Sequence, residues 1–584
     1  MSTNMNTLKA GGRLLLLALA VVLPACNDDF MDRNPLDALS PQTYFKTESE
    51  LSSYITGLYS YVPSTSIYTD DQTSDNIDQK VQNLTVAGQI TVPATGGGWS
   101  WTFLRSVNVY LENSKGANVA PEVAAHYEGI ARLFRAWFYH DMVTRFGDVP
   151  WYGHTLAPGD TAIFKPRDAR NLVMDSVLAD LNYAVANIRD IGSIEQIDKW
   201  AALALKARIA LHEGTYRRYH KIDDGQAWLR EAADAARKVI DSRLFKLYTT
   251  GHPETDYRDL FLQDPANPGE VILSRAFDKT QGIVHNTNGN ALTGTLGTPS
   301  FTKSLVDTYL MRDGTPFTAL SGHDTLAFYE ETRNRDPRLA QTMRAPGYTR
   351  IDKPAVVLAP DFNVSGTGYQ PIKFVTASSF DAFDNGQNDL PVIRYGEVLL
   401  IYAEAKAELG ELTQGDLDIS VNLLRDRVGM PHMNLSALTV DPVLAADYPT
   451  VGGAQRAAIL EIRRERRVEL VLEGRRYDDL MRWKVGPLLA RAFEGMYFSH
   501  IGDIDMDHNG TVDISIVRTD PASRAPGVQY LLLGSVFTLT GGDHGKVVMH
   551  ANVIKVFDEN KNYLFPLPST ELVLNPKLVQ NPGW

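Results

Sequence analysis

Acidic and amide side chains alternate in the segment 505–513, which reads DMDHNGTVD. This order matches the start of an EF-hand-type loop, in which Ca²⁺ binds about six to eight oxygen ligands. Gly510 allows the sharp turn, but Ile516 stands where such a loop has a bidentate glutamate. An Asn-Gly hairpin turn between strands explains the same residues without a metal. The ligands of a structural Ca²⁺ here would be Asp505, Asp507, Asn509, Thr511 and Asp513.

Aromatic residues recur in loops that are rich in Gly, Asn and Asp, and Trp99 directly follows the glycines at 96–98. Exposed aromatic rings stack on the apolar faces of sugars, while Asn, Asp and His side chains hydrogen-bond the hydroxyl groups. The alternative is that these rings fill local cores, and we favour it for Trp101 at a helix start. The candidate glycan-binding residues are Trp99, Tyr68, Asn76, Phe277, His285, Phe380 and Phe383.

Catalytic motifs are missing from the sequence. It contains neither a Gly-x-Ser-x-Gly elbow nor a Walker-type phosphate loop, and His212-Glu213 lacks the second histidine of a zincin. Carboxylates are abundant, so a glycoside hydrolase with an Asp/Glu pair remains an alternative, although no spacing singles out a pair. We expect a protein that is not an enzyme, with no catalytic residues and no required cofactor.

The densest charged segment is 461–482, which carries seven arginines and six acidic residues. Acids and bases three positions apart on a helix can pair, as in Glu461–Arg464, Arg466–Glu469 and Glu473–Arg476. A nucleic-acid-binding helix would not be so nearly neutral. We therefore predict a structural ion-pair helix that packs on the fold.

The composition agrees with a protein that does not bind nucleic acid. Among its 584 residues the chain has 57 Lys and Arg against 70 Asp and Glu, a formal net charge of −13. Phosphate neutralisation requires clustered basic residues. With a single cysteine, Cys26, the chain forms no intramolecular disulfide.

The N-terminus is predicted to be a lipoprotein signal peptide spanning 1–25. Lys9 and Arg13 precede an apolar run at 14–23, which is about half the length of a membrane span. The segment 23–26, LPAC, resembles a bacterial lipobox, in which Cys26 would be acylated and anchor the chain. The acidic 27–29 resembles the surface-export signal of Bacteroidetes lipoproteins. A soluble exported protein with an incidental cysteine is the alternative.

Hydrophobic periodicity predicts the elements that position these residues. Apolar residues at helical spacing indicate helices over 49–61, 123–146, 171–190, 199–216 and 227–242. Alanines in the last two favour a close, tetratricopeptide-like helix pair. The segment 250–390 is rich in loops, and 495–584 has the pattern of short strands and turns. The predicted fold class is mainly α, with irregular loops and short strands around helix pairs.

Ordered motifs along almost the whole chain resemble the SusD/RagB family of outer-membrane nutrient-binding lipoproteins. The segments that carry the resemblance are FMD at 30–32, FKTESEL at 45–51, GLY at 57–59, RAWFY at 135–139, FGDVP at 146–150, the segment 199–216, PVIR at 391–394, EVLL at 397–400, YAEA at 402–405, LRDRVG at 424–429, RERRVEL at 464–470, FPLP at 565–568 and QNPGW at 580–584.

The resemblance implies one composite domain over 26–584, with an N-terminal part at about 27–245 and a C-terminal part at about 270–584. It implies a lipid-anchored protein on the outer face of the outer membrane. Such a protein captures an oligosaccharide and delivers it to a SusC-like TonB-dependent transporter. A lid subunit of the transporter with no ligand of its own is a further alternative. Ligand residues are not implied, because the binding loops of the family share no motif.

Overall fold

The computed structural model describes residues 44–534 and 537–584. The predicted signal peptide and Cys26 lie outside these residues. As expected from the sequence, the described chain is mainly helical, with short strands and long irregular connections. Within it, no helix is both long enough and apolar enough to cross a bilayer.

The α-helices are concentrated within 102–242 and 395–482 of the described chain. In chain order they are α1 Glu48–Leu58, α2 Ser66–Thr69, α3 Leu84–Ala87, α4 Thr102–Asn113, α5 Pro121–Phe146, α6 Arg170–Asn187, α7 Lys199–Tyr219, α8 Gln226–Ser242, α9 Asp256–Asp259, α10 Thr287–Leu292, α11 Lys303–Thr308, α12 Phe328–Thr332, α13 Arg338–Thr342, α14 Tyr395–Leu409, α15 Gln414–Asp418, α16 Val421–Arg427, α17 Pro442–Asp447, α18 Arg456–Glu469, α19 Arg476–Arg482 and α20 Ser569–Leu574.

The strands form small separate sheets. β1 pairs with β3, β2 with β6 and β4 with β5, while β10-β9-β8 and β11-β12-β7 form three-stranded sheets in which only β9 and β10 are parallel. Their bounds are β1 Ile77–Gln79, β2 Val271–Arg275, β3 Pro299–Phe301, β4 Thr349–Arg350, β5 Lys353–Val357, β6 Leu390–Arg394, β7 Glu494–Phe498, β8 Gly502–Ile504, β9 Ile514–Val517, β10 Gln529–Leu532, β11 Thr538–Leu539 and β12 Gly545–Val548.

Helix pairs form the scaffold, as the alanine pattern predicts. α5 packs along α6, α7 along α8, and α14 against α8. The Asp198 carboxylate caps α7 by accepting hydrogen bonds from the backbone N–H groups of Trp200 and Ala201. The α7–α8 turn depends on glycine, since Gly225 has a φ of 65° and a Cβ there would lie 2.0 Å from the carbonyl oxygen of Gly214.

The charged segment 461–482 is buried and forms the ion-pair helices that the sequence predicts, but with different partners. Glu461 and Arg464 do pair, at 3.0 Å. The predicted pairs Arg466–Glu469 and Glu473–Arg476 are wrong for the described structure, because these side chains face other elements. The pairs formed instead are Arg466–Asp479, Glu469 with Arg338, Arg394 and Arg427, Glu473 with Lys373 and Arg394, and Arg476–Asp75.

This network explains how so many charges are tolerated in the interior. Burial opposes ionisation of Glu469, but Arg427, Arg394 and Arg338 together hold the pKa of its carboxyl far below the ordinary value. Removing one partner would leave a buried charge without compensation. The network joins α18 to β6, α13 and α16, so the charged segment fixes the helical scaffold from inside.

Candidate functional site

An open groove of about 610 Å³ lies where α4 and α20 meet the loops at 150–164. Its floor is aromatic, with Trp99, Trp101 and Tyr152, and Phe164 stands at its rim, 45% exposed. Polar lining residues include Arg105, Asn108, His154, Thr155, Glu571 and Asn575. We call this cavity the aromatic groove. A largely apolar cleft with a few placed polar groups is the usual form of a ligand site.

The loop at 96–98 positions the two tryptophans. All three glycines have positive φ, which lets the chain turn so that the Trp99 N–H donates to the carbonyl oxygen of Gly96 at 3.0 Å. Trp99 meets Trp101 edge to face, with ring centroids 5.3 Å apart, and Trp101 meets Tyr152 in the same way at 5.4 Å. Since α4 begins at Thr102, these rings sit at the junction of a tight loop and a helix.

Side chains of α4 hold the opposite wall of the groove. The Asn108 amide donates to the carbonyl oxygens of Tyr152 and His154, at 2.9 and 3.1 Å. Arg105 donates to the carbonyl oxygen of Leu156 at 2.9 Å, and the Glu112 carboxylate accepts from the N–H of Thr155 at 2.7 Å. These contacts recur at helical spacing along one face of α4, so the loop at 152–156 is attached to a rigid element.

Trp99 lines this groove as predicted for a binding residue, yet it is only 7% exposed. Its ring packs edge to face on Phe146, with centroids 5.0 Å apart. Most of the Trp99 side chain is therefore packed in the core. Sequence reasoning missed Tyr152 and Phe164, and it assigned Trp101 to the core although this half-buried ring also lines the groove.

The structure buries four of the other predicted glycan-binding residues, contrary to the expectation of exposed groups. Tyr68 and Phe277 pack around His285, whose Nε2 lies 2.9 Å from the carbonyl oxygen of Asn388. Asn76 is buried between Asp71 and Arg467. Their polar sequence neighbours suggested loops at the surface. These loops fold inward, so the side chains offer no free face to a sugar.

Phe380 and Phe383 lie on the segment that follows β5, outside the aromatic groove. Phe383 is 68% exposed, while Phe380 is half-buried. Asp381 beside them forms an ion pair with Arg350 at 2.8 Å, which ties the segment to β4. The structure therefore does not bring the predicted aromatic residues together into one site.

The segment 505–513 connects β8 and β9, which are antiparallel. Carboxylate oxygens of Asp505, Asp507 and Asp513 lie within 4.8 Å of one another. Asn509 instead accepts a hydrogen bond from the N–H of Thr511 at 2.8 Å. Burial raises the pKa of the Asp513 carboxyl, with the charges of Asp507 and Asp505 adding to the effect. Hairpin geometry and clustered carboxylates are thus both present, and the calcium loop stays a prediction.

Comparison with known proteins identifies the family. The profile described as "SusD family" matches residues 269–584, and the profile described as "Starch-binding associating with outer membrane" matches residues 51–211. The chain therefore belongs to the SusD family, in agreement with the motifs in its sequence.

Relatives of similar length are known from the genera Formosa and Bacteroides. A SusD-like protein of Formosa agariphila is 22% identical, with 98% of this chain and 99% of the relative aligned. A SusD-like protein of Bacteroides ovatus is 23% identical over 97% of each chain. The crystal structure of a SusD-like carbohydrate binding protein from Bacteroides fragilis superposes with a TM-score of 0.69 at 20% identity, covering 92% of this chain and 100% of that one.

Proposed function

We propose that this protein captures an oligosaccharide in the aromatic groove at the cell surface. The aromatic groove carries the proposal, because it combines exposed ring faces with polar groups on rigid elements. Trp101, Tyr152 and Phe164 can stack on sugar rings, while His154 and Glu571 can hydrogen-bond hydroxyl groups. The description of the Bacteroides fragilis structure as carbohydrate binding supports the ligand class.

We further propose that the captured glycan passes to a SusC-like TonB-dependent transporter. The protein would be attached to the outer face of the outer membrane through acylated Cys26. The lipobox-like segment 23–26 supports the anchor, and the family description that mentions the outer membrane supports the location. Replacing Cys26 by Ala should release the chain from the membrane fraction, and co-purification with the transporter should be lost with it.

Phe164 gives the sharpest test of the groove, because its exposed ring can be removed at little cost to the core. We expect Phe164→Ala to weaken glycan binding about five- to thirtyfold, since a stacked aromatic ring contributes about 1–2 kcal/mol. Phe383→Ala is the matched control, an exposed phenylalanine elsewhere on the surface. A glycan array identifies an oligosaccharide that the parent chain binds. Isothermal titration with that oligosaccharide then measures the affinity of both variants.

Equal glycan binding by the parent and Phe164→Ala, with a loss of binding in Phe383→Ala, would place the site on the loop after β5 instead.

The hydrolase alternative has a separate readout. Release of reducing ends from the array glycans by the purified chain would replace capture with hydrolysis. No retention of the chain on any glycan, together with binding to the transporter, would favour the lid without a ligand.

A further inference from the structure

A second cavity of about 520 Å³ lies inside the helical scaffold. We call it the internal chamber. Residues 137, 140, 141, 144 and 145 of α5 line one side, and residues 205, 208, 209 and 212 of α7 line another. These positions recur at helical spacing, so each helix presents one face to the chamber. The segments 63–73 and 474–482 line the rest of the wall, together with Thr85, Ile401, Arg466, Tyr563 and Phe565.

Three of the carboxylates that line this chamber form no ion pair with the described residues. Asp70 and Asp478 accept no side-chain hydrogen bond and form no ion pair with any residue that the structure describes. Asp141 accepts one hydrogen bond, from the Tyr61 hydroxyl at 2.7 Å. Asp141 lies deep in the molecule, yet its side chain is accessible, which means that its free surface faces the chamber.

The arginines of the wall differ sharply in their pairing. Arg208, Arg466 and Arg482 are each held by a carboxylate of the scaffold at 2.5–2.8 Å. Arg475 donates to the carbonyl oxygen of Glu473 at 3.0 Å but has no carboxylate within 4.0 Å among the described residues. Arg145 donates to the carbonyl oxygen of Gly97 and covers the ring of Phe565. Among the described residues of the wall, three acids (Asp70, Asp141 and Asp478) form no ion pair, against two arginines (Arg145 and Arg475), which is an excess of one acid.

Two buried histidines add unsatisfied polar groups to the same wall. His212 is 5% exposed, and neither ring nitrogen has a partner in the described chain, and His140 lacks a partner at Nδ1. Burial lowers the pKa of His140 to about 3, and that of His212 lies well below its ordinary value for the same reason, so both rings are neutral. Buried polar groups without partners are rare in native proteins and call for an explanation.

We propose that the internal chamber is a second binding site, which takes an amino sugar of one or two rings. The ammonium group would lie among Asp70, Asp141 and Asp478, where it offsets the excess of acids. Arg475 can donate to the ring hydroxyls, and Tyr477, which is only half-buried, supplies an aromatic surface. No part of the proposed capture in the aromatic groove depends on this site.

Burial supports the charge assignment. It raises the pKa of the Asp141 carboxyl to about 7 and that of Asp70 to about 6, and it also raises the pKa of Asp478. A positive charge placed in the cavity would therefore favour the ionised form of all three acids. A neutral sugar of the same shape would not favour the ionised form of these acids.

Isothermal titration of the mature chain with glucosamine, and separately with glucose, tests the proposal. We expect saturable binding of glucosamine that is at least about tenfold tighter than binding of glucose, because charge-assisted hydrogen bonds are the stronger ones. Asp478→Asn should weaken glucosamine binding about tenfold. The control is Asp175→Asn, which changes an exposed aspartate on α6 and should leave the affinity unchanged.

Phe164→Ala should also leave glucosamine binding unchanged, which separates this site from the groove. The proposal is overturned if glucosamine does not bind, if glucose binds as tightly, or if Asp478→Asn binds like the parent. Asp70→Asn provides a second variant if Asp478→Asn does not fold. The circular dichroism spectrum and melting temperature of each variant, compared with the parent, establish that the variant is folded.

Discussion

The aromatic groove and the internal chamber have similar volumes but opposite linings. In the groove, Arg105, Asn108 and Glu112 hydrogen-bond the backbone of the loop at 152–156, so the groups left to meet a ligand are the ring faces and a few side chains such as His154 and Glu571. In the chamber, Asp70 and Asp478 keep their carboxylates free. Volume alone therefore says little about the ligand. The lining groups that have no hydrogen-bond or ion-pair partner within the protein determine which ligand chemistry each cavity can recognise.

The largest effect is expected where a paired buried charge is broken. Arg394 pairs with Glu270, Glu469 and Glu473 at 2.7–2.9 Å, so Arg394→Met removes one partner from each of three buried carboxylates. Because each of these carboxylates loses one of its partners in the interior, we expect the free energy of unfolding to fall by about 3–5 kcal/mol. Urea denaturation measures this loss.

Two comparisons sharpen that prediction. Arg237→Met removes an exposed pair with Asp241 and should change stability by less than about 0.5 kcal/mol. Asp478→Asn, which removes an unpaired charge, should not destabilise the fold. A loss in Asp478→Asn as large as that in Arg394→Met would mean that the chamber acids are structural, and the contrast between the cavities would fail.

The next effect concerns the wall of the groove. Asn108→Ala frees the carbonyl oxygens of Tyr152 and His154, and we expect stability to fall by about 1–2 kcal/mol. Glycan affinity should fall with it, because the loop at 152–156 loses its attachment. The matched control on the same helix is Asn113→Ala, because among the described residues the Asn113 amide donates only to the carbonyl oxygen of Val109. Thermal denaturation and titration of both variants check the prediction. Equal glycan affinities of the two variants would show that the loop at 152–156 does not contribute to binding.

A smaller effect is expected in the pH dependence. The pKa of Asp141 is about 7 in the folded chain and ordinary in the unfolded chain, so the folded state holds the proton more tightly. Its contribution to stability is therefore lost as pH rises from about 4 through about 7. Asp141→Asn should remove this loss, raising stability at pH 8 by about 1 kcal/mol once solvent in the chamber is allowed for.

Urea denaturation of the parent and Asp141→Asn at pH 5 and pH 8 measures this difference. The chamber acids predict a steeper decline in the parent. Parallel stability curves for the two proteins would show that burial does not raise the pKa of the Asp141 carboxyl.

The smallest effect concerns the predicted calcium loop, which lies outside both cavities. If Asp505, Asp507 and Asp513 bind Ca²⁺, excess EDTA should lower the melting temperature by about 1–2 °C, because a ligand that binds only the folded state stabilises it. Asp507→Asn should abolish the shift. Binding in the groove and the chamber should not change. An EDTA shift of zero would leave the hairpin turn as the full explanation of this segment.

Local sequence determined much of the secondary structure. The expected helix over 123–146 is α5 Pro121–Phe146, and those over 199–216 and 227–242 are α7 Lys199–Tyr219 and α8 Gln226–Ser242. Apolar periodicity and capping residues act within a few positions of one another, so one chain segment carries enough information. The family motifs are short contiguous segments as well, so the fold class could be predicted from the sequence through the resemblance.

The tertiary structure alone decided which polar and aromatic residues are free. Tyr68 and His285 are distant in sequence and become neighbours only when their loops fold inward. Glu469 lies three positions from Arg466 but pairs with Arg394, because burial turns each side chain toward a different element. Periodicity specifies which face of a helix is buried. It does not specify what that face meets, and the meeting of α5, α7 and α19 creates the chamber.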